Sequence, residues 1–260
     1  MILQDGQFEV RLARGEEEIH AAQRLRYEVF VAELGGDGAL VDHAARRERD
    51  VFDASYTHLL AIDTARPERP VVATCRLMHS SGLPPDARFY TENEYDIGVL
   101  RASGRPLLEL GRSCVHRAYR GGPALMALWR GLMAEAEARG TEVLFGVASF
   151  HGTDATALAG PLSLLHHRHR APEALRVRAR ADNFQPMNLL PEAEIDRVAA
   201  MKAMPPLLKS YLRLGGVVGE GAWLDHAFNC TDVCVVVDVE QVPEQLRRFY
   251  AGARGGAGRP

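Results

Sequence analysis

The stretch LLELGRSCVHRAYRGG, Leu107 to Gly122, constrains this chain more than any other. Its first nine residues read as a buried strand, yet they include Glu109 and Arg112. An ionised group in a low-dielectric interior is costly unless it is paired. A basic turn containing Arg120, Gly121 and Gly122 follows, and then a segment in which Pro123 suits a first helical turn. Leu125, Leu128, Leu132 and Ala136 share one apolar face of that helix, and Gly140 stops it. A strand, a basic glycine turn and a helix N-terminus in this order make an anion site, because free N–H groups and the positive end of the helix dipole point at one place. Arg120 adds a cation, and the two glycines allow close approach to the backbone.

The rest of the chain supplies the elements such a turn needs. FEVRLA (Phe8–Ala13) alternates as a strand does, and from Glu16 the period becomes helical, with Ile19, Ala22, Leu25, Val29 and Phe30 on one face. Three glutamates open that helix and Gly35–Gly36 closes it. YTHLLAID and VVATCRLM read as a hairpin about TARPERP. An irregular segment from Ser80 to Pro106 is long enough to imply a functional or mobile role. Beyond it come a strand in EVLFGVAS, helices near 155–166, 192–202 and 205–214, and a buried strand at Asp232–Val239. We expect an α+β fold, a mixed and mostly antiparallel central sheet flanked by helices, with an elaborated C-terminal half. No linker is visible, so residues 1–252 read as a single domain and 253–260 as a disordered tail.

Several function classes are excluded on composition. A formal net charge of −3 over 260 residues, without a basic tail, argues against nucleic-acid binding. No secretory leader or long uninterrupted apolar run is visible, and Cys75, Cys114, Cys230 and Cys234 form no CxxC pair. The cysteines read as small buried hydrophobes rather than zinc ligands, so we expect no metal and a cytoplasmic location. HHRHR at His166–Arg170 has the wrong spacing for a zinc pair. With Arg176, Arg178 and Arg180 it gives five arginines against one glutamate, Glu173. That segment is either a solvated basic face or a docking surface for an acidic partner or an anionic membrane.

The order of hairpin, long loop, acidic strand, Arg-Gly-Gly turn, amphipathic helix and strand resembles the GNAT acyltransferase fold. In that fold the turn holds a pantetheine phosphate, a role the resemblance gives to Arg120, Gly121 and Gly122. Arg26 and Phe30 on the first helix, Asp50 and Asp53 after it, the strand Arg76, and Glu109 with Arg112 also follow the order found in acyl-homoserine-lactone synthases. ELGRSCVHRAYRG, LFGVASFHGTD, LSLLHHRHRAPEALRVRA, PPLLKSYLRLGGVVGEGA and FNCTDVCVVV together resemble bacterial ornithine N-acyltransferases, over roughly Arg26 to Val237. The resemblance implies transfer of a 3-hydroxy fatty acyl group from acyl carrier protein to the α-amine of L-ornithine, the first step toward ornithine lipid. No cofactor would be bound, since the donor rides on the carrier's phosphopantetheine. Lactone synthesis, or acylation of lysine or glutamine, is the alternative.

Amide formation needs a neutral amine, and an α-ammonium loses its proton cheaply near neutral pH if a positioned base takes it. Glu109 is the candidate base, with Arg112 beside it; the two could equally form an ion pair bracing the sheet. Alternation along a strand sends them to opposite faces unless a bulge at Gly111 intervenes. Arg26, Phe30, Asp50, Asp53 and Arg76 line the substrate under this resemblance, although Asp50 and Asp53 could instead pair with Arg26 and Arg76. Arg168, Arg170, Arg176, Arg178 and Arg180 are the candidate docking residues for carrier protein or inner membrane. Cys230 in CTD has no base in its sequence context, so direct transfer without an acyl-enzyme is expected.

Overall fold

The computed structural model describes residues 2–84 and 87–251; the expected tail at 253–260 lies outside them. The strands are β1 (Ile2–Asp5), β2 (Phe8–Leu12), β3 (Thr57–Asp63), β4 (Val71–His79), β5 (Tyr95–Asp96) and β6 (Leu107–Val115). They continue with β7 (Val143–His151), β8 (Arg178–Ala179), β9 (Phe184–Gln185), β10 (Val217–Val218), β11 (Ala222–Asp225) and β12 (Cys230–Asp238). The helices are α1 (Glu16–Arg26), α2 (Gly98–Ala102), α3 (Ala124–Ala138), α4 (Ala159–Arg168), α5 (Arg197–Ala203), α6 (Pro206–Arg213) and α7 (Glu244–Ala251). The described residues divide into two compact units, one of residues 2–78, 110–141 and 242–251, the other of 79–84, 87–109 and 142–241. The boundary falls inside β6, between Glu109 and Leu110.

In the first unit β1, β2, β3 and β4 pair antiparallel in sequence order, and the second half of β6 lies next to β4. Leu60 packs with Ala22 of α1, whereas Leu59 faces Gly131 of α3. Successive strand residues point to opposite faces, so helices cover β3 on both sides. That explains why Leu59–Ile62 run apolar without alternating and why β3 is buried at six of its seven residues. A Cβ on Gly131 would come within 2.3 Å of Val10 Cγ1, so the small residue sets how closely α3 approaches β2. After Arg26 the helix widens into a π-helical turn, Tyr27–Glu33, before Gly35 ends it at φ +76°.

In the second unit the first half of β6 runs parallel to β7, and β7, β12, β11 and β9 then pair antiparallel. β12 is buried over eight of its nine residues, which fits its run of valines. Tyr95 Oη lies 3.0 Å from the Gly221 carbonyl and 2.9 Å from that of Asp232, tying the loop after β4 to β11 and β12. The segment expected to be irregular, 80–106, holds short 3-10 turns, β5 and α2, anchored by the buried Phe89, Tyr95, Ile97 and Leu100. β1 and α7 have no counterpart in the sequence reading, because each is a single short element at one end of the chain.

Candidate active site

The first unit gathers Arg26, Arg76 and Arg112 with Glu48, Asp50 and Asp53. Asp50 caps the 3-10 turn Val51–Ala54 by accepting from Phe52 N at 2.8 Å, and that turn presents Asp53 inward. Arg26, at the C-terminal end of α1, donates to both oxygens of Asp53 at 2.7 and 3.0 Å and to Glu48 at 2.5 Å. Arg76 on β4 donates to Asp50 and to Asp53 Oδ1, and its guanidinium lies 4.9 Å from the centre of the Tyr56 ring. Arg112 reaches Glu48 and Asp50, each at 3.2 Å. Burial alone would raise the Asp53 carboxyl, but Arg26 and Arg76 overcome it and hold the group well below the usual carboxylate range. For Asp50, burial is likewise outweighed, here by Arg76 and Arg112.

These contacts decide how the predicted residues are arranged. Asp53 accepts from Gln23, Arg26 and Arg76, so the carboxylates form a network with the arginines. Its exposed edge is Asp50 and Arg112, with side chains 20% and 13% accessible. Arg112 adopts φ +50°, so the break in strand alternation falls one residue beyond the bulge expected at Gly111. Arg112 is therefore part of the charged network through Glu48 and Asp50. Phe30 is half-buried and packs on Leu25, Val29 and Cys114. Glu48 is 1% exposed and was missed by sequence reasoning: within AARRERD it reads as one acid on a solvated basic loop.

Glu109 is held differently. It is 1% exposed and is the last residue of β6 in register with β7, opposite Phe145. Its carboxylate accepts from the backbone N–H groups of Thr91 at 2.6 Å and Tyr90 at 3.0 Å. The irregular loop thus supplies the polar partners that this strand carboxylate requires.

The turn after β6 has the expected form. Gly121 sits at φ +73° and α3 begins at Ala124 after Pro123. Arg120 donates to both oxygens of Glu33, at 2.5 and 2.8 Å, so its cation is already engaged. In the second unit the basic segment is not an uncompensated face, because two glutamates distant in sequence fold against it. Arg168 pairs with Glu192, Arg178 pairs with Glu220, and Arg170 lies 3.6 Å from Glu220. Arg176 donates to the Ala171 carbonyl at 2.8 Å. Arg180 alone of the five is exposed with no ion-pair partner among the described residues.

Asp225, Cys230 and Asp232 bring their ligand atoms within 4.8 Å of one another and are the group among the described residues with metal-like spacing. Burial, then the two carboxylates, pushes the Cys230 thiol far above its ordinary range, and the S–H donates to Asp232 at 3.4 Å. Burial also raises Cys75, and Cys114 to about 12, so these thiols stay protonated.

Residues 25–130 match the Acetyltransferase (GNAT) domain family. The L-ornithine N(alpha)-acyltransferase of Rhodobacter capsulatus is 54% identical over 254 residues, spanning 96% of this chain and 97% of that protein. This chain belongs to the L-ornithine N(alpha)-acyltransferase family. The member from Brucella abortus is 41% identical over 94% of this chain and 89% of its own, and that from Rhizobium meliloti 39% identical over 95% and 85%. Among solved structures, FeeM, an N-acyl amino acid synthase from uncultured soil microbes, aligns with a TM-score of 0.49 at 12% identity, covering 90% of this chain and 92% of that one. The acyltransferase class and the GNAT-like α+β fold expected from the sequence are thereby borne out.

Proposed function

We propose that this chain transfers a 3-hydroxy fatty acyl group from the phosphopantetheine of acyl carrier protein to the α-amine of L-ornithine, giving lyso-ornithine lipid. The observation that carries this reading is the extent of the family match, which spans 96% of the chain and so both compact units, beyond the GNAT segment 25–130. The donor is a thioester and the acceptor an ammonium, so one proton must leave before the nitrogen can attack. Glu109 takes that proton, directly or through one water; its two backbone hydrogen bonds fix the carboxylate. The C–N bond forms as the C–S bond breaks, and the departing pantetheine sulfur carries away a proton. No acyl-enzyme intervenes, which suits four free, buried cysteines.

Gly121 and Gly122, with the first N–H groups of α3, hold the pantetheine phosphate, and Arg120 joins them by exchanging Glu33 for it. Within the first unit, Arg26, Arg76, Asp50 and Asp53 hold the Asp50–Arg112 edge in place for contact with substrate. Arg168, Arg170 and Arg178, each facing a glutamate, contribute with Arg176 to carrier docking, which is correspondingly weak and salt-sensitive. No helix among the described residues is long and apolar enough to cross a membrane, so the single-chain product leaves by loose contact with the inner membrane surface. The test is acyl transfer from 3-hydroxyacyl carrier protein to a panel of amino acids. Ornithine acylated in preference to lysine and glutamine supports the reading, and no acylation of any amino acid overturns it.

A further inference from the structure

The second unit contains an open groove of about 480 Å³ lined by Asp96, Arg178, Ala179, Arg180, Ala181 and Asp182. Its charges are not self-neutralised. Arg178 is paired with Glu220 and lies 5.0 Å from the centre of the Phe184 ring. Arg180 has no ion-pair partner among the described residues. Asp96 accepts from the Gly98 backbone N–H at 2.8 Å through one oxygen, and Asp182 is approached by the Trp223 indole N–H at 3.5 Å; neither has a cation partner among the described residues. A volume of this size is in the range that holds small molecules.

One unpaired guanidinium and two unpaired carboxylates in one groove are complementary to an α-amino acid with a cationic side chain. We propose that this groove is the subsite that fixes the acceptor and chooses which of its amines reacts; this rests on the reading of the chain as an ornithine acyltransferase. The α-carboxylate is taken by Arg180, whose planar fork matches a carboxylate. The side-chain ammonium is taken by Asp182 and Asp96. An amine paired with carboxylates stays protonated and cannot attack a thioester, and the side-chain amine is intrinsically the more basic of the two. The α-amine, with no carboxylate assigned to it in the groove, loses its proton more readily and is left as the nucleophile. The groove thus explains acylation at Nα rather than at the side chain. Its loop is contiguous with the reacting carboxylate: Thr91, which donates to Glu109, leads through Glu94, whose carbonyl accepts from Arg180 N at 2.8 Å, to Asp96.

The experiment compares wild type, Arg180→Ala and the double change Asp96→Asn with Asp182→Asn, after circular dichroism shows each to be folded. L-ornithine is compared with L-norvaline, which has the same chain without the ammonium, using 3-hydroxyacyl carrier protein as donor. Arg180→Ala is expected to raise KM for both amino acids about tenfold while KM for the carrier changes less than about twofold. The double change should lower the preference for ornithine over norvaline about tenfold and yield a detectable fraction of side-chain-acylated product. Unchanged acceptor KM and unchanged regiochemistry overturn the proposal, as does a rise in KM for the carrier alone, which would make Arg180 a docking residue. If wild type acylates no amino acid, the functional reading fails, and calorimetric titration of L-ornithine decides the groove separately. Binding to wild type that weakens in Arg180→Ala supports the groove; equal or absent binding overturns it.

Discussion

Asp53 in the first unit and Glu109 in the second are both buried carboxylates, yet the hydrogen bonds that orient them differ in kind. Asp53 lies between two guanidiniums, and the charges of its network sum to zero: three arginines against Glu48, Asp50 and Asp53. Glu109 rests on two backbone N–H groups of a loop. A side chain neutralised by fixed charges is costly to disturb and poorly placed to exchange partners. A carboxylate that accepts from backbone N–H groups is oriented by the loop that supplies them. The contrast predicts that stability depends chiefly on the first arrangement and turnover on the second.

The largest expected effect comes from opening the network. Asp53→Ala leaves Arg26, itself 1% exposed, with Glu48 alone, and should cost about 3–5 kcal/mol in chemical denaturation. A loss below about 1 kcal/mol would mean that the network is not holding the unit together. Glu109→Gln should do the reverse. Its amide still accepts from one N–H but turns a donor toward the other, so the chain folds with a moderate stability loss of about 1–3 kcal/mol. Turnover at saturating substrates should fall at least about tenfold. Near-wild-type turnover would take Glu109 out of the mechanism and remove the contrast.

Acidification probes the same comparison more gently. His58 lies 3.9 Å from Asp53, and its Nδ1 has no hydrogen-bond partner among the described residues. Burial lowers its pKa, with Arg26 and Arg76 adding to the effect and Asp53 only partly offsetting it. The unfolded chain therefore binds the proton more tightly, and stability contributed by neutral His58 is present above about pH 6.5 and falls as pH drops through the depressed folded value. The carboxylates of Asp50 and Asp53 stay ionised in the fold, so their contribution is lost only below about pH 4. His58→Gln should flatten the first decline and leave the second; a single decline unchanged by the substitution would assign the acid sensitivity elsewhere. The smallest effect is expected at Arg120–Glu33, whose side chains are 42% and 36% accessible. Arg120→Ala should change stability by less than about 1 kcal/mol while raising KM for the carrier-bound donor. A large stability loss with unchanged KM would make the pair a brace and not a phosphate site.

The sequence by itself determined the elements whose pattern is local. β3 and β4 with their hairpin, β6, α3 from its proline entry, the glycine turn at φ +73° and the valine-rich β12 follow from period, turn chemistry and capping, which act over a few residues. The family resemblance grouped Arg26, Phe30, Asp50, Asp53 and Arg76 and set Arg112 beside Glu109; the structure instead bonds Arg112 to Glu48 and Asp50. Tertiary structure decided what those side chains meet. Glu48 joins Arg26 across 22 positions and Arg112 across 64, Glu109 finds its N–H partners 18 and 19 positions away, and Glu220 neutralises Arg178 from 42. A charge in sequence carries no mark of its partner, because pairing depends on which strands and loops come to lie side by side. The two aspartates and the arginine of the groove are spread over 87 positions, from Asp96 to Asp182, and acquire a common meaning only when the fold brings them together.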